Sequence, residues 1–370
     1  MHLRVLWLLS VCVCAALATS LTARTVTLPL SRFIAASNFA VPGRVDSGVP
    51  MLWTRIDGRL TLVAFASWGG IPVRMAGPDL AHLLPAGDPV ITPHPGDGIW
   101  FESVIADQTD TTWYAYYHHE APALACGRPE SIPQIGAATS TDRGMTWTNL
   151  GIILEAPRGS EACDSTNRFV IGGVGDVSAM VDRDWKDVYF YFSSYGRNPQ
   201  TQGVVAARLL WADRDAPRGR ITIWQDGVWL APWLAPIRRS SGINDGKEAW
   251  EYPVGTPILR PTSPWHDGLQ AANAFWGPSI HWNTSLQRYV MLLNRTRDEA
   301  FNNEGIYVSF AATLDDPRAW SVPRKILNGG DWYPQIAGLE AGSGTDKQMG
   351  RIARFFLTGR STRYIEFTGR

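Results

Sequence analysis

Three acidic residues sit at matching places in the chain: Asp46 in "RVDSGVPM", Glu102 in "IWFESVIA" and Asp176 in "GVGDVSAM". Each opens a short apolar run. Carboxyl groups gathered on one axis can do acid–base work. One stays protonated and donates to a leaving oxygen, while another stays ionised and activates water or attacks carbon. Close carboxylates raise one another's pKa, which helps divide those roles. That is the chemistry of glycosidic-bond hydrolysis. On this reading Asp46 is the base or nucleophile. Glu102 or Asp176 is the proton donor, and the other tunes its pKa or binds hydroxyls. The plainer role for each acid is a strand-start cap on backbone groups.

Other side chains flank the same positions. Trp100, Trp276 and Trp332 each stand just before such a run, a recurrence that predicts a ring of aromatics for sugar stacking or for core packing. His118, His119 and Glu120 follow an aromatic run and could bind substrate or a metal, although strand alternation puts the two histidines on opposite faces. His281 and Asn294-Arg295 are further candidates for a hydroxyl or a carboxylate. If Asp107 and Asp182 end equivalent strands, Glu102 lies five residues before one and Asp176 six before the other. One residue of slip turns a side chain to the other face, so a bulge is needed for both acids to face one axis.

The elements that would position these groups are strands. The chain has almost no helical periodicity. Short runs rich in β-branched and aromatic residues recur between Gly, Pro, Asp and Asn, as in "TWYAYYHH" and "DVYFYFSSY". Five times a weaker run precedes an aromatic one, and a third and fourth run follow in most units. Unit starts at 49, 102, 176, 278 and 334 are spaced by 53, 74, 102 and 56 residues. The pattern predicts an all-β, five-bladed β-propeller with four antiparallel strands per blade and a long insertion around 212–272. That insertion would hold its own strand pair at 220–233. An irregular β-sandwich is the competing architecture.

One stretch is more motif-like: "STDRGMTW", with Ser140, Asp142, Gly144 and Trp147. Asp and Gly suit a tight turn, and Trp147 can pack against the blade. It resembles the Asp box of sialidases and related propellers, which sits on an outer hairpin away from the active centre. The rest of the sialidase pattern is missing. There is no F-R-I-P segment and no second full box, and the units number five. The five-unit pattern over 44–370 resembles instead the arabinanase, levansucrase and invertase group of secreted glycoside hydrolases, including family 43. That resemblance implies acidic residues on successive inner strands pointing into a central funnel. Two alternatives stand beside a glycoside hydrolase: a non-catalytic carbohydrate-binding propeller and a sialidase-like hydrolase. Loop acids such as Glu251, Asp267 or Asp331 could also contribute.

Composition narrows the classes. The 370 residues carry 34 Lys plus Arg and 34 Asp plus Glu, with no long run of one sign, which speaks against nucleic-acid and membrane-surface partners. Seventeen Trp suit cores and sugar platforms alike. The N-terminus reads as a signal peptide: His2 and Arg4, the apolar "VLWLLSVCVCAAL", then small residues, with cleavage after Ser20 or Ala23. A secreted or periplasmic monomer of residues 24–370 is expected, bound to no membrane after cleavage. Cys126 and Cys163 remain and are expected to pair. Asn283-Thr-Ser and Asn294-Arg-Thr match the glycosylation sequon. No cofactor is required, and the funnel leaves room for a structural metal ion.

Overall fold

All nine residues of strand Asp187–Tyr195 are buried. Such a strand needs protein against both faces, and a ring of sheets packed face to face supplies it. The computed structural model describes residues 28–123, 126, 127, 129–238, 244–261 and 273–369. Among them the chain forms a five-bladed propeller with no α-helix. The inner strands are Met51–Ile56, Ile99–Ala106, Val174–Val181, Phe275–Asn283 and Gln335–Gly338. Each pairs antiparallel with the next strand of its blade. The proposed signal segment lies outside the described residues.

Alternation along each strand divides its side chains between two neighbours. In blade 3, Val188, Phe190 and Phe192 join blade 2 in one apolar cluster, while Tyr189 and Tyr191 join blade 4 in another. Similar clusters fill the other three interfaces. The core is thus five apolar slabs set radially around the axis. Burying a large side chain in one contributes about 1.5–3 kcal/mol.

Several details depart from the sequence reading. Blades 2, 3 and 4 have five strands rather than four. Strands Thr222–Gln225 and Val228–Leu230 are the outer strands of blade 3, not part of an insertion. The separate hairpin after blade 3 is Trp233–Arg238 with Asn244–Glu251. The last blade is completed by Leu30–Ala40, which lies outside Arg360–Thr368 and closes the ring. Both sequon residues, Asn283 and Asn294, are fully buried, so neither can carry a glycan in the folded chain.

The "STDRGMTW" stretch is a turn between Ser131–Ser140 and Thr146–Leu154. Asp142 Oδ1 accepts from the backbone N–H of Met145 (3.1 Å) and Thr146 (2.9 Å), and the Ser140 hydroxyl donates to it (2.8 Å). Gly144 has φ +81°, and a Cβ there would lie 2.4 Å from the Phe65 ring. Trp147 is buried against Phe65 and Phe101, in the interface between blades 1 and 2. The turn is structural. A Cys126–Cys163 disulfide (Cα–Cα 5.2 Å) ties the loop after Trp113–Pro122 to the loop before Val174–Val181. By the entropy of the loop it closes, it contributes roughly 3–4 kcal/mol. The ten-residue strand Ser131–Ser140 separates it from the turn, so the two mark opposite ends of the blade.

Replacing Trp147 by Ala empties a slot between two blades. The expected cost is about 3–5 kcal/mol in denaturant unfolding, with ligand binding at the far end of the axis retained.

Candidate active site

The inner strands do not run straight into the axis. Phe101 pairs with Tyr117 and Ser103 with Tyr116, so Glu102 is the extra residue of a bulge. The same irregularity falls between Gly175 and Ser178 in blade 3, and between Trp276 and Ser279 in blade 4. Asp176, Gly277 and Tyr333 carry positive φ (+46°, +56°, +54°) at these entrances. A bulge re-aims a side chain. Here the bulges repair the one-residue slip and turn Glu102 and Asp176 into one cavity.

That cavity has a volume of about 270 Å³ and contains all three predicted acids, Asp46, Glu102 and Asp176. The predicted aromatics Trp100, Trp276 and Trp332 line it, as does His118. Glu120 and five residues outside the prediction complete it: Phe169, Val170, Tyr195, Phe301 and Tyr333. Tyr195 ends an aromatic strand, a place where a polar handle could have been noticed. Phe169 and Phe301 sit in loops and give no periodic signal. Trp276 packs edge-on against Trp332, Tyr333 and Phe301, so the aromatic ring is both wall and core.

The structure does not bring His281 to the cavity. Its ring is fully buried near Phe367, neither nitrogen has a partner among the described residues, and burial, reinforced by the charge of Lys347, lowers its pKa to about 3. His119 faces away from His118, as alternation requires, and meets Gln134 (3.3 Å). Glu251 is tied to Arg158 (3.0 Å), and Asp331 is exposed and accepts from the Trp332 N–H. Neither lines the cavity. Asp267 lies outside the described residues. Arg295 donates to the Tyr307 hydroxyl and is likewise absent from the lining. Among the described residues no arginine lines the cavity, so nothing there favours the sialidase-like reading.

The three acids differ in environment. Asp46 is partly exposed; Trp100 Nε1 donates to its Oδ1 (2.7 Å) and the Gly69 N–H to its Oδ2 (3.0 Å). Burial raises its pKa, and these two donors pull it back. Asp176 is buried, accepts from the Tyr195 hydroxyl, and donates its own N–H to His118 Nδ1 (3.0 Å). That bond fixes the neutral His118 tautomer with its proton on Nε2, facing Glu120 Oε1 at 3.7 Å. Glu102 stands at the deep end, mostly buried, and lines a second, smaller chamber below. Burial first, and then the charge of Asp176, push its pKa well above the usual carboxylate range, with Lys347 opposing. Of the three, Glu102 is the carboxyl pushed furthest toward its protonated form.

Glu102, His118 and Asp176 bring ligand-type atoms within 4.8 Å of one another. Two of the three are already committed: His118 Nδ1 to the Asp176 N–H, and Asp176 Oδ2 to Tyr195. The charge of Lys347 acts at the same end. An ion held here would have to use the remaining atoms of these side chains, against that positive charge.

No protein-family model matches the chain. No curated protein matches it either. Among solved structures, an endo-arabinase from Bacteroides thetaiotaomicron matches at a TM-score of 0.50 and 13% identity, over 90% of this chain and 97% of that one. The chain shares its fold with an endo-arabinase. A family 43 glycoside hydrolase from Bacillus licheniformis is similar at a TM-score of 0.47 and 13% identity, over 89% and 72% of the two chains. An exo-β-1,3-galactanase from Phanerochaete chrysosporium gives a TM-score of 0.45 at 15% identity, over 91% of this chain. The chain spans 64% of that galactanase's length. At such identities the likeness concerns the fold alone.

The indole donor favours the ionised form of Asp46 against the effect of burial. Trp100→Phe removes a bond to the ionised form, so the Asp46 carboxyl should titrate at higher pH than in the wild type. Carboxyl ¹³C NMR of aspartate-labelled protein reads this directly.

Proposed function

We propose that the protein is an exported glycoside hydrolase. The observation that carries the reading is the cavity itself: three carboxyl groups from successive blades face one aromatic-walled space, each in a different electrostatic setting. Glu102, protonated at the deep end, is the general acid and donates to the departing glycosidic oxygen. Asp46, held ionised by Trp100 and Gly69, is the base or nucleophile. Burial raises the pKa of Asp176, while His118 and the Tyr195 hydroxyl favour its ionised form; in that form its charge helps hold the proton on Glu102. When that proton leaves, Glu102 and Asp176 repel each other, which favours reprotonation of Glu102.

The walls support a sugar. Trp100 and Trp332 offer apolar faces, and the Trp276 indole N–H is buried without a partner among the described residues. We read the "STDRGMTW" turn as an Asp box with a structural role, supported by the bonds Asp142 makes within the turn. The leading segment would direct export, and the chain would act as a monomer on carbohydrate.

A screen of the chain without residues 1–23 against aryl-glycosides and plant or bacterial polysaccharides tests the reading. Glu102→Gln should lower kcat by about 10²–10⁴-fold and abolish the alkaline limb of the pH profile. Full activity in both Glu102→Gln and Asp46→Asn would refute the assignment, and binding without turnover by the wild type would favour a carbohydrate-binding propeller.

A further inference from the structure

The loop dipeptide Asp346-Lys347 belongs to the last blade, yet it reaches every other one. Asp346 Oδ1 accepts from the Met51 N–H of blade 1 (2.8 Å). The Lys347 carbonyl accepts from the Trp282 N–H of blade 4 (2.9 Å). Lys347 Nζ donates to Ser103 Oγ of blade 2 (3.1 Å) and Ser178 Oγ of blade 3 (3.2 Å), and lies 3.3 Å from Asp346 Oδ2. Ser103 follows Glu102 directly, and Ser178 lies two residues after Asp176. Lys347 and Glu102 line the same small chamber, about 20 Å³, below the main cavity.

We propose that Lys347 is a positioning residue for the carboxyl set: it enters the axis from the last blade, ties the Glu102 bulge to the Asp176 bulge through two serine hydroxyls, and supplies the positive charge at the closed end of the cavity. The proposal rests on reading Glu102 as the acid. A neutral side chain of equal length would keep the packing and lose both the tie and the charge. Glu102 faces Asp176 and Asp46 as well as Lys347; Lys347 faces Asp346 and, nearby, the uncharged His281. With the ammonium gone, Glu102 is left with two acidic neighbours and holds its proton to higher pH.

The experiment compares Lys347→Met, Lys347→Arg and the double change Asp346→Asn with Lys347→Met. The double change removes both charges while Asn retains an acceptor for Met51, so it is the test if the single variant fails to fold. Carboxyl ¹³C NMR of glutamate-labelled protein, without substrate, follows Glu102. The expected result is a shift of about one unit to higher pH in the methionine variants, a tenfold change in proton affinity, and a return toward wild type with arginine. The alkaline limb of kcat/KM should move the same way, with KM changed less than twofold. Folded methionine variants in which Glu102 titrates as in the wild type would overturn the proposal. If the wild type cleaves no glycoside yet the Glu102 titration shifts, the hydrolase reading falls and the role of Lys347 stands.

Discussion

The inner edge of a propeller blade is a row of backbone N–H and C=O groups that no further strand covers. Buried on a narrow axis, those groups must find partners. In this protein neighbouring blades lend them side chains. Ser67 Oγ accepts from the Phe101 N–H (3.2 Å), Ser103 Oγ from Ala179 (2.9 Å), and Ser178 Oγ from Ile280 (3.0 Å). Gln335 closes the circle, accepting from the Val49 N–H (2.9 Å) and donating to its carbonyl (2.6 Å). The apolar slabs hold the blades face to face. This ring of hydroxyls and amides decides how they stand around the axis. It also sets the register in which each strand enters, and hence where each bulge can form.

The site follows from that constraint. A strand pinned by a serine one or two positions past its entrance must take up its extra residue before the pin. Glu102 and Asp176 are those extra residues, so they project where no ladder bond holds them. Three acids then occupy graded settings within one cavity. Asp46 has two donors and some solvent; Asp176 has a tyrosine and a histidine; Glu102 has charged neighbours but, among the described residues, no hydrogen-bond donor. The grading comes from depth and neighbours, not from residue type.

Much of this was legible in the sequence. A strand covered on both faces reads as an unbroken aromatic run, which is why "DVYFYFSSY" and its counterparts revealed the blades. Acids that open such runs stood out against the apolar residues behind them. The bulges were not legible, because an extra residue leaves no compositional mark; the mismatch between Glu102 and Asp176 was the only trace. Leu30–Ala40 was missed because it is an outer strand, half exposed along its length, with its partner at the other end of the chain. His281 was misjudged because residue type says nothing about depth. Lys347 sits in a polar loop, "SGTDKQM", where its destination depends on four other blades.

Leu30 pairs with Thr368, and Ala40 with Arg360. Among the described residues, the first strand and the last are therefore neighbours in one sheet. Four blades can assemble in sequence as the chain is synthesised, but the fifth waits for its final strand, and until then the axis is open. A chain released early would expose the flank of two blades and a row of unpaired backbone groups, a surface suited to association with other unfinished copies.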